Sequence, residues 1–233
     1  MSIITPEKTI WTPDYQIYVK PNEKVITQRK LEGLKKLAEI KQWGIRNPTK
    51  FMHEFMGVSL LDSQEYVFMN SWYKPYCLWL ESRGAGKSTM LALYFMTKGL
   101  LFNNYWAYIC SGNADQAQET FRKIEDIAKK NIESMTGLTD VFKNELVINQ
   151  GSGDGFIRSP MGFTYKLYNG SFVKTLNSNI DGKRGKRANA VCFDEGSWLS
   201  EEIFNVIGAF TAVNTEFKPW RQCRYKCSPK GNS

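Results

Sequence analysis

The chain has 233 residues, of which 42% are hydrophobic and 14% aromatic, so it can bury the core of one large α/β domain or of two small ones. Its net charge of +8 favours a polyanionic partner, although composition alone does not separate a nucleic-acid-binding protein from an ordinary basic one. A single histidine excludes His-rich metal sites, and the spacing of the five cysteines fits neither a disulfide framework nor a zinc site. No apolar run approaches about 18 residues, so we expect no membrane-spanning segment.

The first 56 residues are predicted to form an N-terminal arm and a helical segment that packs on the core. Residues 1–22 contain three prolines and show no clear periodicity, so an extended arm and a disordered terminus explain them equally well. The spacing of apolar residues predicts one helix over Val25–Trp43 and a second over Pro48–Met56. We therefore divide the chain into this segment, residues 1–56, and a main domain, residues 57–233.

A loop after Gly57 leads into a helix that is predicted to begin near Asp62. Asp62 and Glu65 have the spacing of a capping box, in which side chains and backbone N–H groups at a helix start bond reciprocally. Gln64 lies in the first turn, and its amide can both donate and accept hydrogen bonds, as reading an adenine edge requires. Taken alone, Gln64 is better explained as a surface glutamine.

The stretch around which the chain is organised is predicted to be a strand, a tight loop and a helix. Cys77–Leu80 is an apolar run, and a helical pattern resumes over Lys87–Met96. Such a loop turns backbone N–H groups inward and the helix adds the positive end of its dipole, so a chain of phosphates fits there. Lys87 would reach the outer phosphates and the Ser88 hydroxyl would hold Mg²⁺. The residues predicted to bind nucleotide are Ser82, Arg83, Gly84, Ala85, Gly86, Lys87, Ser88 and Thr89.

Glu81 is a departure from the usual phosphate-loop pattern G-x-x-x-x-G-K-[ST], because it stands where the first glycine belongs. A short Gly-Lys-Ser sequence also arises by chance, and an ordinary glycine turn that opens a helix is the alternative. The predicted strand before the loop and the helix after it supply the context that the motif requires, so phosphate binding is favoured. Gly84 and Gly86 would leave room for a close approach and allow positive φ.

The next elements alternate between strand and helix, which predicts a parallel sheet. A buried strand is predicted over Tyr105–Cys110 and a long helix over Ala114–Met135, which Gly137 would end. A short strand is predicted over Glu145–Asn149.

An antiparallel hairpin is predicted in the middle of the chain. Phe163–Leu167 and Phe172–Leu176 are alternating runs that flank Asn169 and Gly170, and an Asn-Gly pair in this context strongly favours a hairpin turn. We interpret this hairpin as an insertion beside the parallel sheet.

A polar and basic segment, Asn177–Arg187, follows the hairpin. Because it lies directly ahead of the next motif, we interpret it as a phosphate-directed loop, with a solvated charged loop as the alternative. Its cations are Lys183, Arg184, Lys186 and Arg187.

The apolar residues that follow end in two adjacent acids, Asp194 and Glu195. At the carboxyl end of a parallel strand, Asp194 can hold the water shell of Mg²⁺ and Glu195 can polarise the attacking water. We expect Lys87 and these acids to converge on one magnesium-bound triphosphate at the tips of adjacent parallel strands. A helix over Glu201–Phe210 and a strand over Gln222–Cys227 are predicted after them.

With these motifs in this order, residues 57–233 resemble the ATPase domain of the large terminase subunit of tailed bacteriophages. The phosphate loop of that family lacks the first glycine and carries an arginine, as this loop does with Glu81 and Arg83. Four further stretches resemble motifs of the family: the adenine-recognising Gln64, the strand end Ser111 with Gln116 and Ala117, the run Gly182–Glu195, and the coupling motif Cys227, Ser228 and Pro229.

The resemblance implies an α/β fold, the P-loop NTPase of the additional-strand, conserved-glutamate type, with a mainly parallel central sheet flanked by helices. It implies ATP and Mg²⁺ as ligands, with Glu195 as the catalytic base and Arg83 as a further catalytic residue. In this family ATP is hydrolysed between the subunits of a ring, and an arginine from the neighbour completes the site. Arg184 is the first candidate for that arginine here, and Arg187 is the second.

The resemblance also implies a motor that drives double-stranded viral DNA into a procapsid, in the cytoplasm of an infected bacterial host. The implied partners are double-stranded DNA, the portal protein of the procapsid, the small terminase subunit and further copies of the chain in a homo-oligomeric ring. No membrane partner is implied. For the ATPase domain in isolation, a monomeric state is the alternative to the ring. Large terminase subunits continue into an RNase H-like nuclease, whose acidic residues this sequence lacks. Either this chain is truncated or the nuclease is a separate chain; we favour truncation, and we expect no nuclease activity from this chain.

Two other classes of protein remain open. A single-core helicase-like, nucleic-acid-dependent ATPase would share the phosphate loop, but it would also show a Ser/Thr-Ala-Thr-like motif and a second core domain, which the sequence lacks. A non-motor nucleotide switch is disfavoured by Asp194 and Glu195, because a switch needs no built-in base. Stimulation of ATP turnover by duplex DNA favours the motor, whereas stimulation by single strands favours the helicase.

Overall fold

The computed structural model describes residues 10–12, 15–17, 28–74, 76–82, 84–133, 135–148, 152–176, 186–196, 199–211 and 223–227. Its strands are β1 Ile10–Thr12, β2 Tyr15–Ile17, β3 Tyr76–Trp79, β4 Trp106–Ser111, β5 Phe156–Ser159, β6 Gly162–Lys166, β7 Phe172–Leu176, β8 Ala190–Asp194 and β9 Cys223–Cys227. Its α-helices are α1 Gln28–Arg46, α2 Pro48–Phe51, α3 Asp62–Tyr73, α4 Lys87–Leu101, α5 Ala114–Ala128, α6 Val141–Asn144 and α7 Glu201–Gly208. A π-helical turn, Met52–Met56, follows α2, and a 3₁₀ turn, Ala209–Thr211, follows α7. Within these ranges no helix is both long and apolar enough to cross a membrane.

Within the described ranges the main sheet has seven strands in the order β3-β9-β8-β4-β7-β6-β5, and β1 pairs with β2 in a separate antiparallel ribbon. The strands from β3 to β7 in that order are parallel, as the alternation of strands and helices predicts. The hairpin is confirmed, because β6 pairs antiparallel with β7. It is not an insertion beside the sheet, however: β7 pairs with β4 and β5 pairs with β6, so all three strands continue the sheet.

The carboxyl ends of the parallel strands lie at one edge of the sheet. Trp79, which ends β3, is level with Cys227, which ends β9. Asp194, which ends β8, is level with Ser111, which ends β4. Loops that follow these residues therefore meet at one edge, where open α/β sheets bind their ligands.

The main core lies between one face of the sheet and the helices α4 and α5. Every residue of α4 from Met90 to Leu101 is buried, since the helix is apolar on nearly all sides. Lys98 is the charged exception: its ammonium donates to the Trp72 carbonyl at 3.1 Å and lies 3.9 Å from the centre of the Trp72 ring. Those contacts replace the water that a buried cation loses.

The helices before Gly57 pack against α3 and α4. Trp72 donates from Nε1 to the carbonyl of Ile45 at 2.9 Å, and the Tyr73 hydroxyl donates to the carbonyl of Arg46 at 2.9 Å. A Cβ on Gly44 would lie 2.7 Å from a Leu101 methyl carbon, so α1 approaches the end of α4 where it has no side chain. The helix predicted over Pro48–Met56 is present, although its last five residues form the π-helical turn.

Two predicted elements differ from the structure. The helix predicted to run to Met135 ends at Ala128, and Lys130 takes a left-handed conformation with φ 59°. Gly137 does not end that helix; instead it packs against Gly57, where a Cβ on Gly57 would lie 1.7 Å from the Gly137 carbonyl oxygen.

The strand predicted over Glu145–Asn149 is also wrong in its described part. The short helix α6 precedes it, and Leu146 makes only an isolated bridge with Leu167. Burial explains why an apolar residue stands at position 146, and Leu146 is not part of a strand. β5 carries the pairing instead, and no sequence pattern predicted that strand.

An ion-pair network fastens the turn before β5 to α5. The Arg158 guanidinium donates to Glu125 at 2.6 Å and to Asp154 at 2.7 Å, and the Lys129 ammonium lies 2.8 Å from Asp154. The hydrogen bond from Arg158 is the main cause that holds the pKa of Asp154 well below its ordinary value. Asp154 therefore stabilises the fold above its unfolded pKa of about 4, and this stabilisation is lost as pH falls from there through its lower folded pKa.

Replacing Arg158 with leucine should lower the free energy of unfolding at pH 7 by about 1–2 kcal/mol, a range reduced for the partial exposure of this network. The difference between the variant and wild type should narrow as pH falls below about 4, since Asp154 of the unfolded chain is then protonated. Urea denaturation at pH 7 and at pH 3 measures both effects. Arg122→Leu, at an exposed position on α5, the helix that carries Glu125, is the control. A difference in free energy of unfolding that does not depend on pH would contradict the conclusion that Arg158 lowers the pKa of Asp154.

Candidate nucleotide-binding site

The predicted strand, loop and helix of the phosphate-loop motif are present. β3 ends at Trp79, the loop follows, and α4 begins at Lys87. Gly84 and Gly86 have φ values of 84° and 85°, the left-handed region that glycine adopts without strain, so the expected positive φ is confirmed at both. Gly86 is also the N-cap of α4, which places this turn at the positive end of the helix dipole. Arg83 lies outside the described residues.

Lys87 turns its side chain back over the loop. Its ammonium donates to the backbone carbonyl of Glu81 at 3.1 Å, six residues earlier in the chain. Ser88 and Thr89 follow in the first turn of α4, and both are partly buried. The ammonium, the helix N-terminus and the hydroxyl of Ser88 therefore gather at one end of α4, as a phosphate ligand requires.

The side chain of Glu81, which replaces the first glycine of the usual pattern, is partly buried beside the loop. Its Oε2 atom is buried and has no hydrogen-bond partner among the residues that the structure describes. Burial raises the pKa of the Glu81 carboxyl, and the positive charge of Lys87 partly offsets that rise. Glu81 is thus a polar group beside Lys87 that the sequence had identified only as a departure from the motif.

Gln64 connects α3 to the phosphate loop. Its amide oxygen accepts from the Leu61 N–H at 3.2 Å, and its amide nitrogen donates to the Ala85 carbonyl at 3.1 Å. The predicted capping pair of Asp62 and Glu65 is wrong, because α3 begins at Asp62 itself and Gln64 therefore occupies the position that bonds back to the residue before the helix. For Gln64 to read adenine, these bonds to the protein would have to be exchanged for bonds to the base.

Asp194 ends β8 with both carboxylate oxygens engaged. The Thr120 hydroxyl donates to Oδ2, and the Glu195 N–H donates to Oδ1 at 3.1 Å. Burial is the main cause that raises the pKa of the Asp194 carboxyl; the Thr120 hydrogen bond lowers it, and the Glu195 carboxylate raises it further. The ammonium of Lys87 also lowers the pKa of Asp194, to a smaller extent than these causes.

Glu195 has a left-handed backbone with φ 49°. A residue with a side chain pays about 1–3 kcal/mol for that conformation, and such strain is concentrated at functional sites. The turn directs the Glu195 N–H to the Asp194 carboxylate and ends the strand abruptly. Two acids thus remain together at the strand tip at an energetic cost, which favours a functional reason for the pair.

The strand that precedes the loop of Lys87 and the strand that ends at Asp194 are not neighbours, contrary to expectation. β9 lies between β3 and β8 and pairs in parallel with both. This extra strand agrees with the additional-strand type of P-loop fold. The loop after β3 and the tip of β8 still face each other, because all three strands end at the same edge of the sheet.

Thr120 is a site residue that sequence reasoning missed. It is buried on α5, one helical turn after Gln116, which accepts a hydrogen bond from the Ser111 hydroxyl at 3.0 Å. These two bonds connect α5 to the tips of β8 and β4. The sequence feature that could have pointed to Thr120 is the presence of a hydroxyl side chain in the apolar face of α5, next to Phe121.

Replacing Thr120 with valine should raise the Mg²⁺ concentration needed for half-maximal ATP turnover by about 10–100-fold, because it removes the hydrogen bond that orients Asp194. Thr120→Ser keeps the hydroxyl and should stay within about threefold of wild type on the same reasoning. Turnover titrated with Mg²⁺, alongside thermal unfolding of both variants, measures the effect. Wild-type Mg²⁺ dependence in the valine variant would remove Thr120 from the site.

The donors present fit Mg²⁺. A hydroxyl oxygen from Ser88 and a carboxylate from Asp194 are hard oxygen ligands, and Mg²⁺ bound with a nucleotide takes one or two carboxylates together with phosphates and water. Across the described ranges no cluster of three or more His, Cys, Asp or Glu could hold a metal by itself. The fit is therefore to a metal that arrives with phosphates, and Asp194 and Ser88 are the residues that would hold it.

The remaining predicted residues are placed in part. Arg187 is exposed and precedes β8, so at about 3.3 Å per residue at least the length of that strand separates it from Asp194 at the opposite edge of the sheet. That position separates Arg187 from the nucleotide site of its own chain. Arg184, Ser228 and Pro229 lie outside the described residues. The backbone of Cys227 ends β9 at the level of Trp79.

Solved structures with a similar fold include the ATPase domain of the large terminase of Thermus phage P74-26, with a TM-score of 0.54 and 16% identity over 80% of this chain and 71% of that chain. The large terminase of bacteriophage HK97 has a TM-score of 0.56 and 13% identity over 77% of this chain and 36% of that chain. No model of a protein family and no curated protein matches the sequence. The fold of this chain is therefore that of the ATPase domains of phage large terminases.

Proposed function

We propose that this chain is an ATP-hydrolysing motor domain that powers the translocation of double-stranded viral DNA into a procapsid. The observation that supports it most is that the Lys87 ammonium acts electrostatically on Asp194, the neighbour of Glu195, at one edge of a sheet with the terminase ATPase fold. A phosphate-binding cation and an acid pair are the parts that a P-loop ATPase needs.

In the proposed reaction, the chain's own residues mainly position the triphosphate. The loop N–H groups and the N-terminus of α4 bind the phosphates, and Lys87 exchanges the Glu81 carbonyl for their outer oxygens. Mg²⁺ held by Ser88 and Asp194 would neutralise charge on the phosphates when ATP is bound. Glu195 accepts a proton from the water that attacks the terminal phosphorus, and ADP and phosphate leave.

The chain is proposed to act as one subunit of a homo-oligomeric ring. Arg184, or Arg187 as the second candidate, would reach the neighbour's nucleotide and stabilise the transferring phosphoryl group, and Arg83 would assist within the phosphate loop. The portal protein and the small terminase subunit are the proposed partners at the procapsid, in the cytoplasm of an infected bacterium. Cys227, Ser228 and Pro229 would couple hydrolysis to movement.

Steady-state ATP turnover as a function of protein concentration, with and without DNA, tests this function. A packaging motor should turn over more ATP per subunit as concentration rises, and duplex DNA should increase turnover further. Greater stimulation by single-stranded DNA would favour the helicase-like ATPase instead. Absence of ATP turnover at every concentration, with or without either DNA, would contradict an ATPase of either kind.

A further inference from the structure

A second surface of the main sheet carries basic and aromatic side chains. It lies on the face opposite α4 and α5, beyond the area that α7 covers through Cys110, Val191 and their neighbours. Side chains alternate along each strand, so one face of β4, β6 and β7 presents a single set of residues there. We call this set, together with Lys186 just before β8, the basic sheet face; it comprises Trp106, Tyr108, Lys166, Phe172, Lys174 and Lys186.

The aromatic members form a rigid base. Trp106, which is 38% exposed, stacks on Phe172 with ring centres 5.7 Å apart, and the rings of Tyr108 and Phe172 make a T-shaped contact with centres 5.7 Å apart. The Trp106 indole N–H is bonded to the Gly170 carbonyl, and Tyr108 packs against Phe210 on its other side. These rings are held by one another, so the base is fixed before any partner arrives.

The lysines lie on this base, and no described acidic residue forms an ion pair with them. In the antiparallel pairing, Lys166 lies opposite Phe172, and Lys174 lies opposite Thr164 on the adjacent strand. The Lys186 ammonium lies 5.8 Å from the centre of the Tyr108 ring. Among the described residues, no ion pair involves any of the three lysines.

Like charges lie close together on this face. Lys174 is near enough to Lys186 to lower the pKa of Lys186, in addition to the larger effect of burial. Two neighbouring ammonium groups repel each other unless an anion comes between them. The arrangement is therefore complementary to a ligand with several negative charges.

The basic sheet face is also separate from the nucleotide site. Trp106 and Phe172 begin β4 and β7, whereas Asp194 ends β8 at the opposite edge of the sheet. The length of a strand of five residues, about 16 Å, separates the two edges. A polyanion on this face can thus be bound together with ATP.

We propose that the basic sheet face binds the phosphate backbone of duplex DNA, an inference that rests on the proposed translocation function. Lysines on three neighbouring segments supply positive charge for the phosphate backbone, which lysines contact without reading sequence. A single strand would instead need aromatic rings free to stack on its bases. Trp106 and Phe172 stack on each other here, so duplex DNA is the favoured ligand.

The test compares the triple variant Lys166→Gln, Lys174→Gln, Lys186→Gln with a control triple variant at the exposed positions Lys35, Lys36 and Lys143. Binding of a fluorescent duplex of about 30 base pairs is measured by anisotropy over a range of salt concentrations. The first variant should bind at least tenfold more weakly at 0.1 M salt, and its log-log salt slope should be less steep by about 2–3. The control variant should match wild type in DNA binding, and both it and the single variant Lys166→Gln should keep their basal ATP turnover. Because Lys186 and Lys174 are partly buried, the single variant Lys166→Gln, at an exposed position, is measured as well and should reduce the slope by about 1.

Each other outcome has a defined meaning. Wild-type affinity and slope in the triple variant would overturn the assignment of this face, even while stimulation of wild-type turnover by duplex DNA kept the motor function intact. Tighter binding of a single strand than of the duplex, lost in the same variant, would overturn the choice of duplex DNA. A wild-type chain that binds no DNA also overturns the inference, and ATP turnover by that chain then shows whether the ATPase function survives.

Discussion

Replacing Glu195 with glutamine should reduce ATP turnover by about 10²–10⁴-fold, the usual contribution of a general base. Glutamine keeps the size of the side chain and the left-handed backbone, but it cannot accept the proton of the attacking water. Because Lys87, Ser88 and Asp194 remain, affinity for ATP should stay close to that of wild type. The variant is therefore expected to trap bound, uncleaved ATP.

Phosphate release in steady state and binding of a fluorescent ATP analogue measure the two halves of this result. Glu202→Gln, at an exposed position in the first turn of α7, is the matched control and should behave as wild type in both assays. Normal turnover in Glu195→Gln would overturn the assignment of the base. Loss of both turnover and binding would show that Glu195 holds the nucleotide or the loop rather than the proton.

Replacing Lys87 with alanine should weaken nucleotide binding by about 10–150-fold, which corresponds to the loss of one charge-assisted hydrogen bond of about 1.5–3 kcal/mol. Turnover should fall with it, because the same ammonium stabilises charge on the transferring phosphoryl group. Titration calorimetry with ATP and with ADP gives the affinities. ATP should lose more affinity than ADP, since Lys87 is assigned to the outer phosphates.

Lys143→Ala removes an exposed lysine far along the chain and serves as the control for this change. Alanine is compatible with the first turn of α4, so the helix should persist in the Lys87 variant. Circular dichroism verifies this. Unchanged affinity for ATP in a folded Lys87→Ala variant would exclude the phosphate loop as the nucleotide site.

Much of the fold follows from local patterns in the sequence. The apolar run before Gly84 and the helical pattern after Lys87 predict β3 and α4, because consecutive residues carry the hydrophobic periodicity of each element. The hairpin is predicted for the same reason, since Asn169 and Gly170 specify its turn locally. Local patterns of this kind fix which elements form.

Sheet order and helix ends depend instead on distant contacts. The insertion of β9 between β3 and β8 joins residues far apart in the chain, which no local period encodes. Gly137 was predicted to stop a helix, but its reason is a close approach to Gly57 from another part of the chain. The same limitation explains why β5 was missed: its pairing with β6 places it in the sheet.

The candidate site divides in the same way. Lys87, Asp194 and Glu195 were identifiable because each belongs to a motif of consecutive residues. Thr120 was not, because its role comes from a hydrogen bond to Asp194, which is distant in the chain. Gln64 was identified, but its bonds to Leu61 and Ala85 were not. They follow from the start of α3, because the observed capping pair is shifted by one residue from the predicted one.

A structure of the chain bound to a non-hydrolysable ATP analogue with Mg²⁺ tests the central claim most directly. The account predicts that the terminal phosphate lies within hydrogen-bond distance of the Lys87 ammonium, that the metal lies between the Ser88 hydroxyl and Asp194, and that Glu195 faces the terminal phosphorus. An analogue bound elsewhere, or bound with Asp194 and Glu195 remote from its terminal phosphate, would contradict it.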